Sequence, residues 1–275
     1  MKLRRKIGNF IRRRNSIDIE EIQISLDQMP ATFSSLRVAH VSDVHIPRAA
    51  FPLVEIAKSI ANQQPDVIFL TGDLIDGHAE FESKKLAEFI ELLLAIAPVF
   101  AVSGNHESRI PEYYNSWKQV LEDSDAQLLE NKVAHFEKDG VEFIIIGMKD
   151  FKFNNRVGQD FQFLTDLAVT DHQPILLLHH KPNIWRSYYP KNAPLPQVVF
   201  SGHAHAGQVV IPGLNRGIIA PDQGLLPKYI SGLYHQRNGS KEVVSRGLAS
   251  STRPVRINNR PHLPLVELVP TDQKK

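Results

Sequence analysis

The stretch Phe200-Ser-Gly-His-Ala-His205 places two histidines one residue apart, directly after a short apolar run. A strand that ends in this way presents two imidazoles at one edge of a sheet, as a metal site requires. Four other stretches with a buried-strand pattern, residues 36–41, 67–70, 99–102 and 175–178, also run into Asp, Asn or His. The polar residues that follow them are Asp43 and His45, Asp73, Asn105 and His106, and His180. Since ligands collect at the carboxyl ends of strands in open α/β sheets, the repetition predicts one shared polar site.

Helical patterns separate the first of these strands. Apolar residues recur at helical spacing from Leu53 to Ile60, and Pro65 ends that pattern. A longer helix is predicted over residues 80–96, before Pro98 and the next strand. Parallel strands need such crossovers, so the pattern predicts a parallel central sheet.

The second half of the chain contains more strands than helices. Helices are predicted over residues 113–121 and 161–169, and Lys138-Asp-Gly140 is typical of a hairpin turn. Further strands are predicted at residues 126–130, 133–137, 141–146, 198–200, 208–211, 242–245 and 265–269. We therefore expect an α/β fold, a four-layer α/β/β/α sandwich in which two mixed sheets pack together with helices outside. Residues 19–275 would form this single domain, and residues 1–18 a separate segment.

Composition limits the chemistry of the site. The chain has 275 residues, of which 42% are apolar, and it has no cysteine. A substantial core is therefore possible, and thiolate ligands are excluded. Any metal must be held by oxygen and imidazole nitrogen.

The first 18 residues form a basic segment. Seven cations and no acid occur in residues 1–14, so the net charge of +2 becomes −5 for the remainder, 25 cations against 30 acids. Its apolar residues fall at helical spacing, namely Leu3, Ile7, Phe10 and Ile11. This pattern indicates an amphipathic helix on an anionic membrane surface, and a solvated basic tail is the alternative.

No targeting or membrane-spanning pattern is recognised in the sequence. The paired arginines are not followed by the apolar core of a cleavable signal, and the longest apolar run, residues 92–99, is far below the roughly 20 residues of a spanning helix. We expect a cytoplasmic protein, with peripheral attachment to the inner membrane face through the basic segment as the alternative.

The order of the five polar motifs resembles that of the calcineurin-like metallophosphoesterases. The motifs are Asp43-Val-His45, Gly72-Asp73, Gly104-Asn105-His106-Glu107, His180-Lys-Pro182 and Gly202-His203-Ala-His205. Further stretches, among them Ser245-Arg-Gly247 and Arg260-Pro261, are similar to those of a subgroup of bacterial envelope-associated phosphoesterases like YkuE and YaeI. Ala204, Ala206 and Glu107 depart from the residues common in that subgroup, and none of these changes removes a ligand side chain.

The resemblance implies a metallo-dependent phosphatase fold with two divalent ions, drawn from Mn, Fe and Zn. It assigns one ion to Asp43, His45, Asp73 and His205, and the other to Asp73, Asn105, His180 and His203, so that Asp73 bridges both. Either member of His179-His180 could be the ligand. The family's His-x-Pro pattern favours His180 and leaves His179 a supporting role.

The resemblance also implies a reaction. A metal-bound hydroxide would attack a phosphomonoester or phosphodiester, and His106 would protonate the leaving group or stabilise the transition state. Asp76 and Glu107 are weaker candidates for orienting the ligand histidines. Four aromatic residues are candidate walls of a substrate groove: Trp117, Trp185, Tyr188 and Tyr189.

Three functional classes remain open from the sequence. A metal-dependent phosphoesterase is favoured, acting on a phosphorylated small molecule or on an envelope or lipid-linked phosphate. A non-catalytic scaffold for protein binding is the second, and the complete ligand set argues against it. A nuclease is the third, but the acidic body of the chain, without a basic stripe and interleaved aromatics, makes nucleic acid an unfavoured partner.

Overall fold

Two six-stranded mixed sheets form the centre of the protein. The computed structural model describes residues 16–150, 162–170, 173–182, 184–211, 216–249 and 256–271, and most of the predicted basic segment lies outside this range. The first sheet has the order β1-β16-β2-β3-β4-β5. Its strands are β1 (Asp18–Leu26), β2 (Leu36–Val41), β3 (Val67–Thr71), β4 (Val99–Val102), β5 (Gln127–Leu128) and β16 (His262–Pro270).

The first sheet contains the predicted parallel unit. Strands β2 to β5 run parallel to one another, and β16 joins them antiparallel to β2. Three helices, α1 (Leu53–Ala61), α2 (Ser83–Leu94) and α3 (Pro111–Glu122), cover its outer face. Their apolar sides are buried in one cluster with alternate residues of the strands, among them Ile68 and Leu70 of β3.

The second sheet has the order β14-β15-β9-β8-β7-β6. Its strands are β6 (Lys132–Lys138), β7 (Val141–Met148), β8 (Ile175–His179), β9 (Val198–Ser201), β14 (Gly232–His235) and β15 (Lys241–Val244). Strands β7, β8, β9 and β15 are parallel, and an antiparallel strand closes each edge. In the part of the chain that the structure describes, its outer face is covered by a 3-10 turn at Gln162–Leu164 and by the short helix α4 (Trp185–Tyr188).

Apolar side chains fill the space between the two sheets. Phe69 of β3 contacts Phe100 of β4 and Phe200 of β9, with ring centroids 6.1 and 5.0 Å apart. Buried aromatic pairs of this kind contribute about 0.5–1.5 kcal/mol beyond the area that they bury. The predicted four-layer sandwich is thereby confirmed. Because β3, β4 and β9 pack on each other here, the loops that follow them emerge together.

The structure also corrects one predicted element. The hairpin at Lys138-Asp-Gly140 is present, since β6 pairs antiparallel with β7. The helix expected over residues 161–169 is reduced, among the described residues, to the turn at Gln162–Leu164. Leu164 is buried there and Phe163 packs beside it, so two apolar residues are covered without a full helix.

Two small hairpins lie outside both large sheets. Strand β10 (Val210–Ile211) pairs with β11 (Arg216–Gly217), and β12 (Ile219–Ala220) pairs with β13 (Gly224–Leu225). A Cβ atom added to Gly217 would lie 2.3 Å from the carbonyl oxygen of Ala206, so only glycine allows this contact. The close approach holds the hairpins against the turn that carries His205.

Candidate metal centre

The seven predicted ligand residues follow five strands at their carboxyl ends. Asp43 and His45 follow β2, Asp73 follows β3, and Asn105 follows β4. In the second sheet, His180 follows β8, and His203 and His205 follow β9. Six of the seven are buried and Asn105 is half-buried. The structure therefore brings together the seven residues that sequence analysis selected as metal ligands.

Five of these residues have a left-handed backbone conformation. The φ angles are positive, between 44° and 65°, at Asp43, His45, Asp73, His203 and His205. A residue with a β-carbon rarely adopts this conformation, and such strain persists where the surrounding structure enforces it, often at functional sites. Here the left-handed residues include every predicted ligand except Asn105 and His180.

One half of the centre is formed by Asp43, His45 and His205. Their donor atoms all lie within 4.8 Å of one another. Nε2 of His205 is 3.4 Å from Oδ1 of Asp43. The Asp43 carboxylate is fixed in turn, because Oγ of Ser42 donates to its Oδ2 at 2.6 Å and the backbone N–H of His203 donates to both oxygens.

The other half is formed by Asp73, Asn105, His180 and His203. Nε2 of His180 lies 3.2 Å from Oδ2 of Asp73, 3.2 Å from Oδ1 of Asn105, and 3.2 Å from Nδ1 of His203. Asp73 also lies 3.9 Å from Nε2 of His45 in the first half. Asp73 is therefore the carboxylate between the two groups of donors.

The donor set fits divalent metal ions. Two ligands at about 2.1 Å from one ion are about 3.0–3.4 Å apart, close to the spacings found here. Nε2 of His45, the nitrogen that lies 3.9 Å from Oδ2 of Asp73, is buried and has no hydrogen-bond partner among the described residues. A buried polar atom without a partner is costly, and a bound cation would satisfy it. Carboxylates and imidazoles suit Mn, Fe and Zn.

Burial and the nearby carboxylates shift the pKa values of the ligand histidines in opposite directions. Burial lowers the pKa of His45 to about 3 and that of His203 to about 4, which leaves these rings uncharged and able to bind a cation. Burial alone would also lower the pKa of His180, but attraction to the Asp73 carboxylate raises it to about 10. In the absence of metal, the Asp73 carboxylate therefore stabilises one positive charge on His180.

The structure distinguishes His179 from His180. Nδ1 of His180 donates to the carbonyl oxygen of Thr71 at 2.7 Å, so Nε2 is the atom that faces the centre and that would bind a metal ion in place of its proton. His179 instead contacts the carbonyl oxygen of Lys181 through Nδ1, at 2.9 Å. It is the last residue of strand β8 and is buried, and the assignment of His180 as the ligand stays a prediction.

His106 lies at the edge of the centre. A ring nitrogen of His106 is within 4.8 Å of donor atoms of His45 and Asp73, and its backbone N–H donates to Oδ1 of Asp73 at 2.8 Å. The N–H of Gly77 donates to its Nδ1 at 3.0 Å. Nδ1 therefore acts as an acceptor, and the ring proton is on Nε2. Asp76 lies behind the ring, with Oδ1 3.4 Å from Nδ1.

Glu107 binds backbone amides rather than a ligand histidine. Its buried carboxylate accepts hydrogen bonds from the N–H groups of Asp73, Leu74, Ile75 and Gly104, at 2.7 to 3.1 Å. The four amides belong to the loops that follow β3 and β4. The side chain therefore joins the loop of Asp73 to the loop of Asn105.

We expect Glu107→Gln to destabilise the protein even without metal. The amide group of Gln would place N–H donors against backbone N–H donors, at about 1–3 kcal/mol for each buried donor left unpaired. Denaturant unfolding of the chelator-treated protein measures this change in the free energy of unfolding. Glu137→Gln, at an exposed position of β6, is the control and should leave stability unchanged. Equal stability of the two variants would contradict the role assigned to Glu107.

The aromatic groove wall predicted from the sequence is wrong for both tryptophans. Trp117 belongs to α3 and is fully buried in the cluster between the helices and the first sheet, and Trp185 is fully buried against the second sheet. Tyr189 is also largely buried and contacts Trp185 edge to face. The side chain of Tyr188 lies outside the described residues. The apolar area of these rings is used for packing, which position along the sequence does not reveal.

Three charged residues next to the centre were not selected from the sequence. Oδ2 of Asp222 is 3.0 Å from Nε2 of His203 and 3.5 Å from Nζ of Lys181. Nζ of Lys181 is also 3.3 Å from Oδ1 of Asp150. For Lys181 the sequence offered a signal, since it directly follows His180 and a charged residue beside a ligand is expected to pair with an acid. Asp222 and Asp150 had no comparable signal.

Comparison with known proteins decides the family. The calcineurin-like phosphoesterase family profile matches residues 36–207, which include all five motifs. The chain belongs to the calcineurin-like phosphoesterase family. It is accordingly a metal-dependent phosphoesterase, and the resemblance of its motifs is confirmed.

Curated relatives of this metallophosphoesterase span nearly its whole length. The uncharacterised metallophosphoesterase YkoQ of Bacillus subtilis is 28% identical over 260 residues, which are 91% of this chain and 90% of YkoQ. YkuE of the same organism is 26% identical, and the match covers 93% of this chain and 87% of YkuE. A bovine transmembrane protein with a metallophosphoesterase domain is 24% identical, and the match covers 88% of this chain and 55% of that protein. None of the helices that the structure describes here is long and apolar enough to cross a membrane.

Solved structures share the fold at low sequence identity. The phosphopantetheinyl hydrolase PptH of Mycobacterium tuberculosis has a TM-score of 0.50 and 13% identity, with 88% of this chain and 98% of that one covered. The NAD nucleotidase NadN of Haemophilus influenzae has a TM-score of 0.51 and 17% identity, and the match covers 79% of this chain and 46% of NadN. These similarities support the metallo-dependent phosphatase fold.

Proposed function

We propose that this metallophosphoesterase hydrolyses phosphoric monoesters or diesters with two divalent metal ions. The observation that supports this most strongly is the position of Asp73 between two groups of donors, each with spacings that suit one ion. A shared carboxylate offsets the repulsion between two cations about 3.5–4 Å apart, the separation typical of two-metal hydrolytic sites.

The proposal assigns each ligand to one ion or to both. Asp43, His45 and His205 would hold the first ion, Asn105, His180 and His203 the second, and Asp73 would contribute to both. When bound, such ions supply Lewis acidity that activates water and polarises a phosphoryl group. The chain contributes the fixed positions of the donors, through Ser42, Glu107 and the hydrogen bond from His180 to Thr71.

His106 is proposed as the proton donor. The N–H of Gly77 occupies its Nδ1, so its Nε2–H is available to a leaving oxygen. The ring is close to His45, with centroids 4.5 Å apart, and its backbone is tied to Asp73. This position beside the donors supports a role in protonating the leaving group of a phosphoester bound at the centre.

The substrate class follows less directly. Phosphopantetheinyl hydrolase and NAD nucleotidase are names of proteins that share the fold, and they support a phosphorylated small molecule as the substrate here. An envelope or lipid-linked phosphate is the alternative, based on the subgroup resemblance and on the basic residues 1–18. The attachment of that segment to anionic membranes remains a prediction that vesicle co-sedimentation with and without it would test.

Removal of metal is expected to abolish hydrolysis. Protein treated with a chelator and dialysed should turn over neither p-nitrophenyl phosphate nor bis-p-nitrophenyl phosphate. Addition of Mn²⁺, Fe²⁺ or Zn²⁺ should restore the preferred one of these activities, because these ions accept imidazole and carboxylate ligands. Ca²⁺ is the control, since it prefers oxygen ligands and should restore little. Full turnover after chelation, or no turnover under any of these conditions, would contradict the proposal.

A further inference from the structure

Asp222 reaches the centre from outside the two large sheets. It lies in the turn between β12 and β13, a hairpin whose strands are two residues long, and its φ angle is 56°. Its side chain is partly exposed, while His203 is buried. Oδ2 of Asp222 lies 3.0 Å from Nε2 of His203. None of the five sequence motifs contains this residue.

The two ring nitrogens of His203 face in different directions, and Asp222 contacts the one that points away from the centre. Nδ1 of His203 points toward the centre, 3.2 Å from Nε2 of His180, so Nε2 is the nitrogen on the far side. A carboxylate at that position accepts the Nε2–H and selects the tautomer in which Nδ1 keeps its lone pair. His180 is arranged in the opposite sense, because its Nδ1 donates to Thr71 and its Nε2 faces the centre.

The carboxylate of Asp222 is itself positioned by Lys181. Nζ of Lys181 lies 3.5 Å from Oδ2 of Asp222 and 3.3 Å from Oδ1 of Asp150. Lys181 and Asp150 are both buried, so the ammonium group has a restricted position. A carboxylate at the tip of a small hairpin would otherwise have several rotamers available. The chain of contacts from Asp150 through Lys181 and Asp222 to His203 limits both the carboxylate and the ring.

We propose that Asp222 is a positioning residue that fixes the tautomer and orientation of His203 for the second metal ion. This inference rests on the two-ion function proposed above. It means that the hairpin of β12 and β13, which belongs to neither large sheet, contributes to the affinity of one metal position. The ion held by Asp43, His45 and His205 does not depend on this contact.

The test measures metal affinity and the His203 tautomer separately. In Asp222→Ala we expect the second Zn²⁺ to bind about 10–100-fold more weakly, in the range typical of lost outer hydrogen bonds to ligands, while the first binds as in the wild type. Competition with a chromophoric chelator gives both affinities. Nitrogen-15 NMR of histidine-labelled, Zn²⁺-loaded protein should show the Nε2-protonated tautomer of His203 in the wild type and its loss in Asp222→Ala.

Two further variants separate positioning from a general structural effect. Asp222→Asn keeps an oxygen acceptor and tolerates a positive φ angle, so it should recover most of the affinity and the tautomer. Asp139→Ala changes another hairpin aspartate with a positive φ angle, 49°, and should alter neither measurement. A wild type that binds fewer than two ions would refute the proposed function and the inference with it. Two ions in the wild type, with equal affinities and an unchanged His203 signal in Asp222→Ala, would refute the inference alone.

Discussion

Asp73→Asn is expected to remove both metal binding and turnover. The substitution preserves the shape of the side chain and one oxygen but removes the negative charge that lies between the two groups of donors. That charge attracts His180, whose Nε2 is 3.2 Å from Oδ2, and it lies 3.9 Å from Nε2 of His45. We expect turnover to fall on the order of 10³-fold or more, at least the cost of losing one electrostatic contact in an active site. Metal content by mass spectrometry and hydrolysis of p-nitrophenyl esters measure the two effects.

A comparison with Asp43→Asn tests whether Asp73 is the bridge. Asp43 belongs to the group with His45 and His205 alone, so its replacement should weaken one ion and leave the other bound. Retention of one full equivalent of tightly bound metal by Asp73→Asn would show that the carboxylate is not shared. The same variant distinguishes a catalyst from a scaffold, because a scaffold would keep its binding partners after losing its ions.

The strand ends were predictable because their pattern is local. Each ligand motif follows a short strand of mostly buried residues, and a parallel strand order directs such ends to one edge. The assignment of the residues to two ions needed the family resemblance, since spacing along the chain does not show that Asp73 lies between the two groups. The left-handed backbone of His45 and His205 could not be predicted either, because histidine, although enriched in this conformation, adopts it at only a small fraction of its positions.

Asp222 escaped prediction for a different reason. The stretch Pro221-Asp-Gln-Gly224 is typical of an ordinary turn, in which aspartate is common for its local hydrogen bonding. Its contact with His203 depends on how the hairpin of β12 and β13 packs beside the turn that carries His205, next to the close approach of Gly217 in β11 to Ala206. Such a tertiary contact has no periodic signature. Trp185 shows the converse, since its proximity to His180 in sequence suggested a place beside the site that packing excludes.

His106→Gln is expected to separate proton donation from metal binding. Glutamine can donate a hydrogen bond but cannot transfer a proton, and none of the three carboxylate and imidazole pairs that link the ligands involves this ring. Two ions should therefore remain bound. Loss of a general acid typically reduces the rate about 10²–10⁴-fold, which corresponds to roughly 3–5 kcal/mol in the activation free energy.

The dependence on the leaving group decides whether His106 acts as an acid. p-Nitrophenolate leaves readily without a proton, whereas an alkoxide does not, so the variant should lose far more activity on an alkyl phosphate than on the p-nitrophenyl ester of the same series. His78→Gln is the matched control, because His78 is an exposed histidine whose ring centroid lies 5.3 Å from that of His106. An equal loss on both leaving groups would assign His106 to stabilisation of the phosphoryl charge instead. The same selective loss in His78→Gln would move the proton donor to His78, and the hydrogen bond from Gly77 to Nδ1 of His106 would then serve only to hold the loop that carries Asn105.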